Sequence, residues 1–402
     1  MPLTRRDFLQ NSVALAGTAG LLLTELTAYA AGPNVAPATA GAAAAAVTPA
    51  TASVGTSLQG VETYPLPSAA VAAMRFIGLE EHFITPEIQQ ASERLPPGER
   101  DDILMQLRQS PELMARLQDL GEGRLRQMDG IGLDLMVVSA TSPATQILAP
   151  REAVALARQA NDRLAAAVRA HPTRLAGFAT LPTPAPAAAA QELRRAVQEL
   201  GFKGALIHGR TGDKYLDHPD FRPLLAQAAA LDVPIYLHPQ IVPRAVRALY
   251  YDGFDEKLSL AFATSGWGWH ADAGVGALRL ILAGIFDELP TLQIIVGHWG
   301  EMVTFFLDRA NIMSEQAKHL KKPVADYFRQ NFYLTPSGMF NPAHLQSAVA
   351  VMGADRIMFS TDYPYLYQPG DVGRSFLTNA ALSLEDKHKI AHGNAERLLK
   401  LT

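Results

Sequence analysis

Carboxylate and imidazole side chains follow apolar runs at several places in this chain, and their types and spacing indicate metal chemistry. Glu80 and His82 lie near the end of the run F-I-G-L-E-E-H-F. Because residues two apart on a β-strand point to the same side, both side chains can face one ion while Glu81 faces away. Later apolar runs lead into three further residues of this kind: His238, His298 and Asp362. Together they predict a polar cluster at one edge of the fold.

Two carboxylates and two imidazoles in this cluster form a ligand set for a divalent cation. The four predicted ligands are Glu80, His82, His238 and Asp362. Zn²⁺ and Mn²⁺ accept this mixture of oxygen and nitrogen and leave a position for water or substrate, whereas Ca²⁺ prefers oxygen ligands alone. We therefore expect the cofactor to be one divalent metal ion, Zn²⁺ or Mn²⁺.

The elements that must position these residues alternate between short apolar runs and amphipathic helical stretches. Strands are predicted at residues 76–83, 135–139, 175–181, 204–208, 233–238, 292–296, 332–335 and 356–360. Helices are predicted at residues 151–171, 186–200, 221–231, 275–288, 301–318, 342–352 and 384–399, with an irregular segment before residue 275. This alternation predicts an α/β fold, a (β/α)8 TIM-type barrel, whose active site lies at the carboxyl ends of the strands.

A doubly wound open sheet is the alternative fold for the same alternation. It would need a glycine-rich nucleotide-binding turn after the first strand, and the sequence has none there. The formal net charge of -4 gives no reason to expect nucleic acid as a partner. The absence of cysteine excludes disulfides, thiolate metal ligands and cysteine nucleophiles.

The amino-terminal region is predicted to be a targeting segment and a linker rather than part of the fold. The run T-R-R-D-F-L-Q, a modestly apolar stretch and A-Y-A are typical of a twin-arginine signal peptide at residues 1–30. Residues 31–73 are rich in Ala, Pro and Thr and are predicted to form a flexible linker. The barrel is expected at residues 74–402, with a helical insertion at about 86–129. We expect a periplasmic or otherwise exported protein that uses the twin-arginine machinery and keeps no membrane anchor after signal cleavage.

Seven motifs, in order along the chain, carry a resemblance to a known family. They are L-E-E-H-F (79–83), L-G-F-K-G-A-L (200–206), Y-L-H-P (236–239), F-D-E-L-P (286–290), G-H-W-G-E (297–301), F-S-T-D-Y-P (359–364) and G-N-A-E-R-L-L (393–399). Residues 75–402 thereby resemble the amidohydrolase superfamily, in the branch that contains aminocarboxymuconate semialdehyde decarboxylase. Within that branch the chain is most similar to the γ-resorcylate and 2,3-dihydroxybenzoate decarboxylases.

The resemblance implies roles for individual residues. It gives the four predicted ligands as the metal ligands, Asp362 also as the catalytic acid, and His298 and Glu301 as its supporting pair. Four further residues are expected at the substrate: His208, Arg309, Phe83 and Tyr363. An ion pair with Asp308 or Glu301 is an equal alternative for Arg309. His208 stands where these relatives usually carry Asn, and Tyr363 follows T-D where they favour other residues, so the substrate is the least defined part of the prediction.

The function implied is metal-dependent, non-oxidative decarboxylation of a small aromatic carboxylic acid. Direct loss of CO2 would leave an aryl carbanion, so the ring carbon must first be protonated, by Asp362. The alternative is a hydrolase of the same fold that uses a metal-activated water on a lactone, ester or amide. A third possibility is a binding protein on an inactive barrel. The complete set of site residues argues against it. Relatives form dimers or tetramers, so a homodimer or homotetramer is expected.

Overall fold

The computed structural model describes residues 73–97, 99–101 and 109–401. They belong to one unit, Thr63–Thr402. The predicted signal peptide and all but the last residue of the predicted linker lie outside this described part. Within the described ranges, no helix is both long and apolar enough to cross a membrane.

Parallel strands form a closed barrel. They are β1 Ile77–Phe83, β2 Leu135–Ala140, β3 Leu175–Gly177, β4 Ala205–His208, β5 Ile235–His238, β6 Ile294–Val296 and β7 Phe332–Leu334. Two ladders, β1-β2-β3 and β4-β5-β6-β7, are entirely parallel. Parallel bridges complete the circle by joining Ala179 to Ala205, Leu334 to Ile357, and Phe359 to Gly78. Residues 357–359 therefore take the eighth position, and the predicted (β/α)8 barrel is confirmed.

The strands are apolar on both faces because each face is buried in a different layer. One set of strand residues, including Leu79, Val137 and Ile295, forms a buried cluster of its own inside the barrel. The alternate strand residues, such as Val138 and Val296, pack with the surrounding helices in the main core. This two-sided burial is the pattern of parallel sheets covered by helices.

Helices surround the barrel and fill the insertion. Those of the first half of the described chain are Pro86–Arg94, Pro111–Gln118, Glu122–Ile131, Pro150–Ala170, Pro186–Gln198 and Arg222–Leu231. Those of the second half are Arg244–Tyr250, Glu256–Ala263, Gly268–Leu282, Ile285–Glu288, His298–Glu301, Val303–Ala310, Val324–Asn331, Pro342–Met352, Val372–Thr378, Leu384–His388 and Asn394–Leu399. Short 3-10 turns and one π-helical turn lie between them: Pro219–Phe221, Asn311–Glu315, Ala354–Arg356 and Lys389–Gly393. A two-stranded hairpin, Arg210–Thr211 with Lys214–Tyr215, follows β4.

Several predicted boundaries differ from the structure for local reasons. The segment after His238, predicted to be irregular, contains two helices and the start of a third. That third helix ends at Leu282 rather than continuing to residue 288, because Gly284 has a left-handed φ of 72°. The predicted third strand stops at Gly177, and the eighth is reduced to isolated bridges. The helix predicted at 301–318 runs from Val303 to Ala310 and continues as a 3-10 turn.

Candidate metal and active site

Three of the four predicted metal ligands meet at the carboxyl end of the barrel strands, and the fourth, Asp362, lies beside them. One donor atom from each of Glu80, His82 and His238 lies within 4.8 Å of the others. His238 Nε2 is 3.5 Å from Glu80 Oε1, and His82 Nε2 is 3.3 Å from Asp362 Oδ1. Glu80, His82 and His238 thus present their atoms to one point between β1 and β5, and the Asp362 carboxylate borders this point next to His82.

The hydrogen bonding of these residues leaves their inner atoms without partners. Glu80 Oε1 and His82 Nε2 are buried and accept or donate no hydrogen bond among the described residues. Such unpaired buried polar atoms are costly, so they indicate a position at which a ligand binds. His238 Nδ1 lies 2.7 Å from the carbonyl oxygen of Pro239, which can only accept. The proton of His238 is therefore on Nδ1, and Nε2 offers its lone pair to the same point. This donor set fits one divalent cation.

Hydroxyl groups hold the outer oxygen of Glu80. Tyr236 donates to Glu80 Oε2 at 2.6 Å, Thr335 donates to it at 3.4 Å, and the Ser337 hydroxyl also bonds to it. Because these groups occupy Oε2, Oε1 is left to face the ligand cluster. Burial raises the pKa of Glu80 and the charge of His298 opposes this shift. A cation beside Oε1 would further favour the ionised form.

Asp362 stands in a strained turn that is held by Glu81. Its φ is +57°, in the left-handed region that side chains other than glycine rarely adopt. The buried Glu81 carboxylate accepts hydrogen bonds from both neighbours of Asp362: from Thr361 N at 2.9 Å, Thr361 Oγ1 at 2.7 Å and Tyr363 N at 3.1 Å. Burial raises the pKa of Glu81 to about 8, and these hydrogen bonds act against that rise. Strand alternation had indicated only that Glu81 faces away from the ion.

His298 and Glu301 form a buried charged pair beside the ligand cluster. His298 Nδ1 is 2.7 Å from Glu301 Oε1, and His270 Nδ1 is 2.9 Å from the other oxygen, Oε2. Burial alone would lower the pKa of His298, but the charges of Glu301 and Glu80 raise it to about 10. Burial would raise the pKa of Glu301, but His298 and His270 lower it to about 2. The pair can therefore hold a proton within the site at neutral pH.

The predicted substrate residues are placed differently from one another. His208 is buried with Nδ1 3.3 Å from His238 Nδ1, and its pKa is lowered to about 3 by burial and then by His82. Phe83 is buried in the main core. Tyr363 is also buried, with its ring 5.1 Å from the guanidinium of Arg124. Arg309 lies exposed on the helix Val303–Ala310. None of these four side chains lines the cavity described next.

A cavity of about 510 Å³ opens above the cluster. Its lining residues are Thr141, Ser142, His238, Ser265, Trp269, His270, His298, Met339, Asp362, Tyr365 and Leu366. The sequence predicts no catalytic, metal-binding or substrate-binding role for His270 or Tyr365. The hydroxyl of Tyr365 lies 2.5 Å from Thr141 Oγ1, and its ring lies 5.6 Å from that of His82. The cavity is therefore partly walled by aromatic and apolar groups and has Asp362 and His298 on its polar side, which suits a small planar acid.

The chain is similar to known proteins in both sequence and fold. Residues 114–401 match the amidohydrolase family. The γ-resorcylate decarboxylase of Polaromonas sp. strain JS666 is 40% identical over 81% of this chain and 98% of that protein. The crystal structure of a 2,6-dihydroxybenzoate decarboxylase with 2,6-dihydroxybenzoate covers 82% of this chain and all of its own, at 38% identity and a TM-score of 0.70. The 5-carboxyvanillate decarboxylase of Novosphingobium aromaticivorans, crystallised with manganese, covers 84% of this chain and 99% of its own, at 33% identity and a TM-score of 0.77.

Proposed function

The chain belongs to the amidohydrolase family, and we propose that this protein removes CO2 without oxidation from an ortho-hydroxybenzoate of the γ-resorcylate or 2,3-dihydroxybenzoate class. It is a metal-dependent carboxy-lyase, as its similarity to decarboxylases implies. One observation carries the substrate proposal: a carboxyl group, Asp362, lies 3.3 Å from the proposed metal ligand His82 and also stands in the wall of a cavity that suits one aromatic ring.

The proposed metal ligands are Glu80, His82, His238 and Asp362, which would hold one divalent ion. When bound, the ion supplies positive charge for the phenolate and carboxylate of an ortho-hydroxybenzoate. Manganese in the carboxyvanillate decarboxylase structure favours Mn²⁺, and the mixed ligand set also suits Zn²⁺. Metal analysis of the purified protein, with activity restored to the metal-free protein by each ion in turn, separates the two.

The proposed catalytic acid is Asp362. Its carboxyl delivers a proton to the ring carbon that bears the substrate carboxylate. The electron pair of the bond to that carboxylate then returns to the ring, CO2 leaves, and aromaticity is restored. The net change is replacement of the carboxylate by hydrogen. His298, which lines the same cavity and is paired with Glu301, is proposed to return a proton to Asp362.

The test is CO2 release from metal-loaded protein that lacks residues 1–30. We expect release from γ-resorcylate or 2,3-dihydroxybenzoate, and a fall of about 10³-fold for Asp362→Asn. Asp308→Asn, which changes a fully exposed carboxylate, is the matched control and should keep wild-type activity. Acid release from a panel of lactones without CO2 from any hydroxybenzoate would overturn the proposal and indicate hydrolysis.

We also propose that the protein is exported by the twin-arginine route and works in the periplasm. The support is the arrangement of a twin-arginine run, an apolar stretch and A-Y-A at the start of the chain. Twin-arginine substrates cross the membrane already folded, which suits an enzyme that must acquire its metal before export.

A further inference from the structure

The Glu81 carboxylate is buried inside the protein and does not line the cavity above the ligand cluster. Its side chain is fully buried. It accepts three hydrogen bonds, and all three come from Thr361 and Tyr363, the residues that flank Asp362. Two of these three donors are backbone N–H groups, which cannot accept a hydrogen bond. The carboxylate therefore acts as a clamp on the segment 361–363.

The segment needs such a clamp because of its backbone. Asp362 has a φ of +57°, a conformation that is unfavourable for a residue with a Cβ and persists only where the surroundings enforce it. The hydrogen bonds from Thr361 and Tyr363 to one carboxylate fix both sides of this residue. They thereby fix the direction in which the Asp362 side chain leaves the backbone.

Two local features of the first strand place this carboxylate. The pairing of β1 with β2 shifts register between Gly78 and Glu81. A Cβ at Gly78 would overlap Oε1 of Glu81, so the glycine leaves the space that the carboxylate occupies. Gly78 is also the residue of β1 that bridges to Phe359 and closes the barrel. The irregularity thus serves the contact between Glu81 and the segment that carries Asp362.

Arg124 supports the same region from the insertion. Its guanidinium is fully buried, donates to the carbonyl oxygen of His82 at 2.6 Å and lies 5.1 Å from the ring centre of Tyr363. It therefore contacts the backbone of one proposed metal ligand and the residue that follows another. Glu81 and Arg124 together tie β1 to the segment 361–363.

We propose that Glu81 is a positioning residue that sets the Asp362 carboxylate for both of its tasks, holding the cation and protonating the substrate ring. Both tasks rest on the proposed function, the first on its metal ligands and the second on its reaction. Glu81 does not line the substrate cavity, so it acts through Thr361 and Tyr363, by two backbone N–H groups and the Thr361 hydroxyl.

The first test is Glu81→Gln, which keeps the shape of the side chain but replaces one acceptor oxygen with an amide that donates. In either orientation the amide meets a backbone N–H that also donates, so one clamp contact is lost and replaced by repulsion. At saturating metal we expect kcat to fall by about 10²-fold with KM changed by less than about threefold, since small misplacements of a reacting group cost this much. Metal affinity should fall by about 10-fold or more.

A spectroscopic measurement follows the position of Asp362 without relying on activity. The visible absorption of the Co²⁺-loaded protein depends on the ligands and their geometry. We expect Glu81→Gln to change this spectrum. Glu192→Gln is the matched control, because Glu192 is a buried carboxylate that accepts hydrogen bonds from Asn161 and Arg195 and does not line the cavity. That control should lose thermal stability but keep the spectrum and kcat of the wild type.

A second variant keeps the proposal testable if Glu81→Gln does not fold. Thr361→Val removes one of the three donors and leaves Glu81 and Asp362 unchanged. We expect a smaller fall in kcat and a smaller change in the Co²⁺ spectrum. If both single variants fold, the double variant should lose less than the product of the single effects, because both act on one clamp.

Wild-type kcat and an unchanged Co²⁺ spectrum in a folded Glu81→Gln protein would overturn the proposal. If only Thr361→Val folds, the same wild-type behaviour in that protein overturns it. Failure of the proposed function gives a different result. In that case the wild type releases no CO2, while metal affinity and the Co²⁺ spectrum of the variants still report whether Glu81 positions Asp362.

Discussion

At the scale of single residues, the protonation of His298 is determined by the carboxylates around it. Glu301 Oε1 is 2.7 Å from His298 Nδ1, and both side chains are buried. Burial disfavours the imidazolium, but the negative charges of Glu301 and Glu80 outweigh burial and raise the pKa of His298 to about 10. A bound cation acts in the opposite direction and lowers it. The proton on His298 therefore depends chiefly on Glu301.

This dependence predicts the effect of Glu301→Gln on the pH profile. His298 is protonated below its pKa, so activity that needs its proton is present at low pH and lost as the pH rises through that pKa. Removing the charge of Glu301 lowers the pKa, so the alkaline limb of kcat/KM should move to lower pH by about 1 unit or more. Glu288→Gln, at an exposed helix end, is the control and should leave the limb in place. An unmoved limb in Glu301→Gln would exclude His298 as the group that titrates there.

The proximity of Glu80, His82 and His238 could be predicted because its signals are local. Alternation along one strand brings Glu80 and His82 to one side, and barrel topology brings the other strand ends to the same rim. Glu81 and His270 were not assigned roles, because their roles depend on contacts with residues far away in the chain. Glu81 contacts Thr361, and His270, from a segment predicted to be irregular, contacts Glu301. The periodicity of apolar residues along the sequence gives no information on such contacts.

At the scale of elements, the turn after β6 presents His298 and Glu301 to the site. It reverses direction through left-handed residues, with φ of 61° at Trp299 and 96° at Gly300. The preceding Gly297 lies close to the Glu80 carboxylate and to the Ser337 hydroxyl that bonds to it. A Cβ there would lie 2.6 Å from Ser337 Oγ and 3.0 Å from Glu80 Oε1. The absence of a side chain at this position therefore leaves room for both the hydroxyl and the carboxylate.

We expect Gly297→Ala to weaken metal binding by displacing Glu80 or Ser337. A distorted ligand or supporting group typically lowers metal affinity by about 10- to 100-fold. Titration of the metal-free protein with Mn²⁺ measures this loss directly. Gly276→Ala is the control, because a Cβ there, inside a helix, meets only ordinary contacts at 3.5 Å or more. Equal Mn²⁺ affinity in the two variants would show that the close approach at Gly297 is not needed by the site.

Helix starts were predicted better than helix interruptions. Proline at the first turn begins five long or medium helices, at residues 86, 111, 150, 186 and 342, and side chains of Thr85, Ser110 and Asn341 cap three of them. These signals are visible in sequence. The final helix, predicted as continuous over residues 384–399, is divided by a π-helical turn, Lys389–Gly393. That interruption depends on packing and has no local sequence signal of comparable strength.

At the scale of the whole molecule, the proposed export depends on the amino-terminal residues and not on the barrel. The paired arginines Arg5 and Arg6 are the feature that a twin-arginine signal requires. In a bacterium with this pathway, we expect a shortened protein in the periplasmic fraction. Replacing both residues with lysine should leave the full-length chain in the cytoplasm, whereas Arg158→Lys should not change the distribution. Equal export of the double-lysine variant would contradict the proposal.

The outer surface of the barrel carries apolar side chains that a monomer would leave in water. Phe305 and Phe306, on the helix Val303–Ala310, are 81% and 51% exposed, and their rings lie 5.0 Å apart. Of the exposed large hydrophobic residues in the described part of the chain, Phe305 is the most exposed. Adjacent aromatic rings on a surface are typical of protein interfaces. We therefore propose that this helix takes part in the expected homodimer or homotetramer.

Sedimentation velocity of the protein without residues 1–30 tests this assembly. We expect a dimer or tetramer at micromolar concentration. Phe305→Glu should shift the distribution toward monomer, because a charge buried without a partner in an interface is strongly unfavourable. Val154→Glu is the control, since Val154 is an exposed apolar residue on the separate helix Pro150–Ala170. A wild type that stays monomeric at every concentration would refute the assembly, and an oligomer unaffected by Phe305→Glu would place the interface elsewhere on the barrel.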